Sequence, residues 1–596
     1  MEIHLHATEG DHAALIADLD SGIPVDVRDD QGRTPLMVAA ASPNADVATL
    51  RLLLARGANV NALTLPKEPP KLDEATRKTL EEGPGGISWS DIEESAASRD
   101  SVLGYAIQKG AAADKLRLLV EADADAGYVN ADGYSALTYA VYRSGGEPAD
   151  QWSNFISLLI DAGAPLDAES RYAESALSVA SIFARFSLVA LLLERGANPA
   201  PLGWTPLFHE IAADNMQGVI RLLNDGVPLE AHDAFSRTPF LLAIHAGHRE
   251  IAELLLDRGS NLAATGRCGH GALMYAISRD DAGMLQWLIA VGCDPEVSSD
   301  FGIFPLLEAA RSGATNCVKA LLDAGASAGR HTEHGPTPIS DAASPEIVEL
   351  LVAAGEELSD IGSAMRVELL KLRPGADRVA ESEYHRHKHR AFGRQNPERM
   401  NNALWDWLVA NRISAYECAS RHGDPRSDDE PVWCFNRFGQ SITRLPDGRY
   451  VEIGGEHEDY YDQDFCIYND LVVHDNGKFE LYGYPEDVFP TTDFHSATLA
   501  WPHIYIIGSL GYSHERRPAE TPVYRVDCHS WSIERIQCQG DAPGWIHGHK
   551  ARLIENRQIS IRGGLIDNGT GHLVPNTSQY SLDLSNFTWT RQQPGD

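Results

Sequence analysis

Apolar residues along the first 355 positions come in short stripes at helical spacing, each closed by a polar pair and a glycine. Leu52-Leu53-Leu54-Ala55-Arg56-Gly57, Leu191-Leu192-Leu193-Glu194-Arg195-Gly196 and Leu254-Leu255-Leu256-Asp257-Arg258-Gly259 are near copies of one another. Gly163, Gly196, Gly226, Gly259, Gly292, Gly325 and Gly355 are spaced 33, 30, 33, 33, 33 and 30 residues apart. A second phrase opens the period as Thr34-Pro35-Leu36, Thr205-Pro206-Leu207, Thr238-Pro239-Phe240, Phe304-Pro305-Leu306 and Thr337-Pro338-Ile339, with Ser101-Val102-Leu103 and Ser135-Ala136-Leu137 as departures. Pro costs little in the first turn of a helix, where its missing N–H had no partner. The preceding hydroxyl caps that turn, and the closing glycine supplies a left-handed backbone. The pattern predicts two helices per period. One such pair cannot bury its apolar faces alone, so the pairs must stack.

The texture changes after Pro431 to β-branched and aromatic runs with Gly, Asn and Asp between them, which predicts strands. Tyr450-Val451-Glu452-Ile453, Ile504-Tyr505-Ile506-Ile507 and Gln558-Ile559-Ser560-Ile561 end on Gly454-Gly455, Gly508-Ser509 and Gly563-Gly564, spaced 54 and 55 residues apart. Gln440, His495 and His549 precede them at intervals of 55 and 54. Asp475, Asp527 and Asp583 follow, each four positions before an aromatic residue: Phe479, Trp531 and Phe587.

Two segments break these rhythms. Residues 63–99 form a polar insertion holding Pro66, Pro69, Pro70, Pro84 and Gly85-Gly86. Residues 356–430 read as a helical capping or linker region without a period, with Met365 to Leu372 capping the last helix pair and Asn401 to Tyr416 as one amphipathic helix. Within it, Tyr384-His385-Arg386-His387-Lys388-His389-Arg390 is basic in an acidic chain. Its readings are metal capture, a docking patch for acidic surface, or a solvated helix face. Only His385 and His389 share a face at i, i+4.

The 33-residue period with its Thr-Pro-Leu phrase resembles the ankyrin repeat family, over about nine to ten units in residues 1–355. That resemblance implies an all-α solenoid with a concave surface that binds a partner. It extends to long bacterial ankyrin repeat domain-containing proteins. The three phrases that end on a glycine pair or near-pair in residues 431–596 resemble kelch repeats, which implies an all-β kelch-like domain. Three units are too few to close a propeller, so the expectation is a partial or small one, with possible self-association through it. In such blades the glycines would admit close neighbours, the later aromatics would pack between blades, and His495 and His549 would be blade-building residues.

Composition narrows the partner. The formal net charge of −35 repels nucleic acid and anionic lipid and favours basic protein surfaces. Eight scattered cysteines without a C-x-x-C pair point to a reducing compartment and no zinc site. No basic and apolar leader opens the chain, and no run approaches the ~18 apolar residues of a membrane helix. The expectation is a cytoplasmic chain that needs no cofactor and holds no metal.

The function expected is that of a protein-protein interaction scaffold or adaptor and not an enzyme. Residues just before the Thr-Pro phrase project from the hairpin between units. Arg33, Tyr134, Trp204, Arg237 and Ile303 stand there, with Phe235 and Phe301 close by. Exposed Arg and aromatic residues carry interface energy, so these seven form the candidate partner-binding strip. The alternative is an enzyme with a carbohydrate-directed or metal-assisted site in the kelch-like domain, around Glu456, His457, His495, His547 or His549. No P-loop, nucleophile elbow or H-E-x-x-H phrase supports it, and no catalytic residue is assigned.

Overall fold

Most opening phrases start a helix because a hydroxyl finds an otherwise unpaired N–H; Thr205 and Phe304 start theirs without a side-chain cap. Thr34 Oγ1 accepts from Met37 N and Thr238 Oγ1 from Leu241 N, both at 3.3 Å. Ser101 and Ser135 do the same for Gly104 and Thr138, so the departures from Thr-Pro keep the cap. The second helix of the period ends at a glycine of positive φ, such as Gly259 at 101°. The computed structural model describes residues 2–66, 96, 98–144, 149–331, 335–373, 375, 378–424, 432–457, 465–570 and 572–592. They fall into two units, residues 1–302 and 303–596.

The first unit holds helix pairs from Glu2–Glu9 with His12–Asp20 to Ala272–Ile277 with Ala282–Ala290. Leu53, Leu119, Leu159 and Leu192, one from each successive second helix, are all fully buried in a shared core. Most of the insertion expected over 63–99 lies outside the described residues. Leu63 bridges Ser101 as Val129 bridges Ser135 and Glu169 bridges Ser175, so the extra residues enter within a hairpin.

The second unit opens with one more pair, Pro305–Ser312 and Thr315–Asp323. Next comes a lone helix, Pro345–Ala353. The helix expected at Thr337-Pro338-Ile339 is a single turn, closed by Asp341 N on Thr337 O. Ten residues separate Pro239 from Arg249, the first residues of a complete pair, but only seven separate Pro338 from Pro345. The shortened interval has no room for a first helix. Residues 303–355 group with the C-terminal part.

Among the described residues of 356–424 stand the helices Ser363–Leu369, Glu381–His387, Ala403–Asn411 and Ala415–Arg421. The single helix expected from Asn401 to Tyr416 is two. Arg412 sits at φ 49°, and Ser414 caps the second helix through Glu417 N.

Three antiparallel meanders follow. The first is Ser441–Arg444, Tyr450–Ile453, Leu471–Asp475 and Lys478–Gly483, with Glu398–Arg399 added at its last edge. The second is Ser496–Ala500, His503–Ile507, Val523–Asp527 and Ile533–Arg535. The third is Lys550–Ile554, Gln558–Arg562, Gln579–Asp583 and Thr588–Gln592, with Gln539–Gly540 parallel to its last strand. Strand pairing does not join these sheets into a closed barrel or propeller.

One apolar cluster lies between the first and second sheets, around Val451, Ile504 and Trp531. Another lies between the second and third, around Ile507, Ile559 and Trp589. The expected glycine contacts are present. A Cβ on Gly454 would sit 2.3 Å from Thr492 O, and one on Gly508 would sit 2.3 Å from Ile546 O. Trp531 packs between sheets as expected, taking a hydrogen bond on its carbonyl from Tyr484 Oη at 2.7 Å. Phe479 does not match it, because Asn476-Gly477 makes a tighter turn and leaves Phe479 within a strand paired to His474.

Candidate partner-binding surface

The hairpins between helix pairs are built around one acidic side chain. Asp233 Oδ1 accepts from Phe235 N and Arg237 N at 2.9 Å, and Oδ2 accepts from Arg237 Nε at 2.8 Å. Asp29 repeats the device on Gln31 N, Arg33 N and Arg33 Nε. The fold of the tip therefore depends on the arginine, and that changes its role.

Arg237 is 1% exposed. Its guanidinium also donates to Ser181 O at 2.9 Å and Ser181 Oγ at 2.7 Å, and it lies 3.0 Å from His245 Nδ1. It stitches neighbouring units together, and the expectation that it projects to a partner is corrected. An arginine is long enough to fold back along a hairpin when an acid four residues earlier fixes its Nε.

The other expected residues are graded by the same packing. Arg33 is half-buried, with its guanidinium 3.3 Å from Tyr105 Oη. Tyr134 stacks on Tyr139 at 5.3 Å and donates to Glu174 Oε2 at 2.6 Å. Trp204 stacks on Phe186 and meets His209 edge-on. Phe235 lies half-buried under the Arg237 guanidinium, 5.1 Å away. Phe301 alone of these aromatics stands out, 74% exposed. In the second unit Ile303 is half-buried.

Sequence reasoning missed Tyr172, which is 70% exposed. The signal was present. Tyr172, Phe235 and Phe301 each stand two positions before the residue leading into the first helix, at Glu174, Arg237 and Ile303. At that position Tyr172 and Phe301 are exposed, whereas Phe235 lies half-buried under Arg237. Phe183 is a second missed aromatic, exposed at the turn between two paired helices, with the Arg185 guanidinium 5.3 Å from its ring.

Beside that turn runs a groove of about 600 Å³ lined by Arg185, Phe186, Asp214, His248 and Arg279. His248 Nδ1 and Asp214 Oδ1 are 3.3 Å apart. Burial pushes the imidazole down against the pull of Asp214, and Arg279 adds to the downward push. A separate cleft of about 760 Å³ has Asp29, Asp30, Asp100 and Asp132 in its wall. Such walls can hold aromatic, apolar and cationic side chains.

The residues weighed for chemistry serve the architecture. His495 Nε2 lies 2.8 Å from Ser441 Oγ of the preceding sheet, and His549 Nε2 lies 2.9 Å from Ser496 Oγ. Burial pushes both imidazoles down to about 3, so they stay neutral. Gln440 holds the same place before the first sheet, where its carbonyl accepts from Arg366 at 3.2 Å and Arg412 at 3.3 Å. Glu456 and His457 are buried, with His457 Nδ1 2.7 Å from Tyr468 Oη. The rest of that acidic loop, from Glu458 to Tyr461, lies outside the described residues. In the basic segment, His385 and His387 face Glu381 and Glu383 at 3.8 and 3.6 Å. No trio of metal-ligating side chains forms among the described residues.

Comparison with known proteins accords with this geometry. A family model described as ankyrin repeats in three copies matches residues 186–266 and 273–361, and a single ankyrin repeat model matches 31–65. The chain is 31% identical over 202 residues to neurogenic locus notch homolog protein 1 of Xenopus tropicalis, covering 31% of this chain and 8% of that protein. It is 26% identical over 195 residues to the B-cell lymphoma 3 protein homolog of Mus musculus, covering 31% and 43%. A putative E3 ubiquitin-protein ligase, XBAT34, of Arabidopsis thaliana is 34% identical over 119 residues, covering 19% and 31%. The chain thus spans less than half the length of each of these relatives. Residues 31–65, 186–266 and 273–361 are ankyrin repeats, and a strand-rich region follows them.

Proposed function

We propose that this chain is a protein-protein interaction scaffold whose ankyrin face grips a partner protein carrying a basic segment. The observation that carries the reading is the surface of the first unit. Tyr172 and Phe301 project from hairpin tips with little packing of their own, and a separate cleft carries Asp30 and Asp100 beside the paired Asp29 and Asp132. Rigid aromatics anchor interfaces at low entropic cost, and a wall of carboxylates favours Lys and Arg. The overall charge of −35 adds long-range attraction for the same partners.

The three meanders act in this reading as a kelch-like partial propeller that frames the second end of the scaffold. The reading is supported by four-stranded sheets that repeat at 54 and 55 residues and by histidines that bond each sheet to the one before. No observation favours the enzyme reading, since His495 and His549 are committed to their neighbours.

The test is affinity capture on the full chain, comparing wild type with a Tyr172→Ala, Phe301→Ala double variant. The reading expects one or more partners recovered by wild type and lost, or reduced about tenfold, by the variant at unchanged thermal stability. Equal recovery of every partner by both forms would remove the hairpin strip from the proposal.

A further inference from the structure

The loops that lead into the three sheets are stitched to one another in order. Phe494 N donates to Gly439 O at 2.9 Å, and Gly548 N donates to Phe494 O at 2.8 Å. Phe494 and Gly548 each stand one position before a histidine that ties sheet to sheet, and the residues one step further back are Asp493 and His547. Ser509 draws their loops together. Its hydroxyl donates to Asp493 Oδ1 at 3.1 Å, while its N–H donates to Ile546 O at 3.0 Å. Gly511 N adds a second bond to Asp493 Oδ1 at 2.7 Å.

Each of the two side chains keeps one atom that these bonds do not reach. Asp493 is 0% exposed and His547 7% exposed. Asp493 Oδ2 and His547 Nε2 are buried without a hydrogen-bond partner among the described residues. The guanidinium beside them, Arg516, is engaged elsewhere. It donates to Leu510 O at 2.9 Å and to Gly511 O at 3.3 Å, and it lies 3.8 Å from Asp567 Oδ2. Two carboxylates therefore share one guanidinium, and a buried carboxylate needs a counter-charge. His547 does not supply it. Burial pushes its imidazole down against the pull of Asp493, and Arg516 adds to the downward push, so the ring is neutral at pH 7 and can offer a lone pair at Nε2.

We infer that Asp493 Oδ2 and His547 Nε2 are ligands of one divalent transition-metal ion, held between the loops that lead into the second and third sheets. A carboxylate paired with an imidazole suits zinc and its neighbours, whereas calcium and magnesium take oxygen ligands. The ion provides the charge that Asp493 lacks and accepts the imidazole lone pair. Ser509 and Gly511 fix Asp493 Oδ1 and so orient the oxygen that meets the metal. Two side chains leave the other positions on the ion to water. At this depth the ion is structural, and it ties the third sheet to the second beside the bond between His549 and Ser496. The inference does not rest on the ankyrin face.

The probe is zinc chloride. The full chain is stripped with a chelator and titrated with zinc, and its thermal unfolding is followed alongside. Binding of roughly one zinc per chain is expected, with a rise in the melting temperature of the second unit. Asp493→Asn keeps Oδ1 for Ser509 and Gly511 but removes the charge, and His547→Gln removes the imidazole. Each should weaken zinc binding at least about tenfold. A His385→Ala, His387→Ala variant should bind as wild type does, which separates this site from the basic segment. Absence of zinc binding and of a thermal shift in wild type up to about 1 mM overturns the inference. So does equal zinc affinity in wild type and both ligand variants, or a loss confined to the His385→Ala, His387→Ala variant. A magnesium shift equal to that of zinc also overturns it, since the effect would then be one of ionic strength or general charge.

Discussion

The helix pairs of the first unit and the three sheets of the second are both repeat systems, but they hold together in different ways. In the helical stack most ties are local, and the buried polar bonds of Arg237 to Ser181 and of Lys115 to Ser42 join one helix pair to another. A hydroxyl caps a helix three residues on, an aspartate fixes a hairpin four residues long, and leucines meet the adjacent unit. The sheets are tied by buried polar bonds over long stretches of chain. Ser441 and His495 are 54 residues apart, and Arg366 and Glu452 are 86 apart. A helix satisfies its own backbone, so most of what it takes from its neighbour is an apolar face. A meander leaves its side-chain polar groups at the sheet boundaries, so each boundary needs partners of its own.

The ends of the two systems sharpen the contrast. The free face of the first sheet is covered by the helices of residues 356–424, where Trp405, Leu408 and Trp433 pack against Val472 and Leu481. Glu452 lies fully buried under that cover. Arg412 donates to it at 2.9 Å through two nitrogens, His474 Nε2 lies at 2.7 Å and Arg366 at 3.3 Å. Burial alone would raise the Glu452 carboxyl, but Arg412, His474 and Arg366 hold it well below the usual carboxylate range. The segment after the last ankyrin helix then reaches both outer sheets. Ser359 Oγ accepts from Ile442 N, and Glu357 and Asp360 engage the third sheet at Ala551 and Lys550. A three-sheet array is thus bounded by helix and loop in place of a fourth sheet.

The largest test of the contrast is Glu452→Gln. It leaves two buried guanidiniums short of a counter-charge, at a cost of roughly 3–5 kcal/mol. Urea unfolding followed by tryptophan fluorescence should show the second unit melting earlier while the transition of residues 1–302 holds its midpoint. A common shift of both transitions would mean that the two systems are not separately stabilised.

Gly454→Ala comes next. Its φ of 59° and the carbonyl of Thr492 both oppose a Cβ, so at least about 2 kcal/mol should be lost from the second unit. Alanine at Gly226, where φ is 80° and the space is open, carries only the backbone penalty. A pair of denaturation curves separates the two effects.

Acid should act on both systems, since burial and Arg237 also push His245 of the stack down, and the sheets carry two such imidazoles. His495 and His549 have folded pKa values pushed below the unfolded one, so they contribute fully above about pH 6.5. That contribution falls as pH drops towards 3, by roughly 2 kcal/mol per histidine between pH 6.5 and 5. Melting temperatures measured across this window should fall for the second unit. His495→Gln, which borrows the residue standing at position 440, should flatten the dependence. An unchanged slope in that variant would assign the acid sensitivity elsewhere.

The smallest effect is Thr238→Ala in the stack, about 1 kcal/mol for one lost cap. Hydrogen exchange should show it confined to the helix pair around Pro239–Ala246 and its immediate neighbours. A spread over the whole unit would contradict the nearest-neighbour account.

Much of this architecture was legible in the order of residues alone. Thr-Pro and Ser phrases fixed helix starts, glycines fixed helix ends, and glycine pairs at 54 and 55 residues marked three sheets. These signals are local, since a cap, a left-handed turn and an alternating strand each depend on a few adjacent residues. Spacing even explains the missing helix at Thr337, once the seven residues from Pro338 to Pro345 are compared with the ten from Pro239 to Arg249. What only the tertiary structure decided is where side chains of similar character end up. Arg237 and Phe301 both belong to hairpin tips, yet one is buried against Ser181 and His245 and the other stands in solvent. Glu452 reads as one polar residue in a strand, and its burial beneath Arg366 and Arg412 depends on helices 40 and 86 residues away. Local sequence sets backbone form, whereas exposure and charge pairing are set by whatever distant segment packs on top.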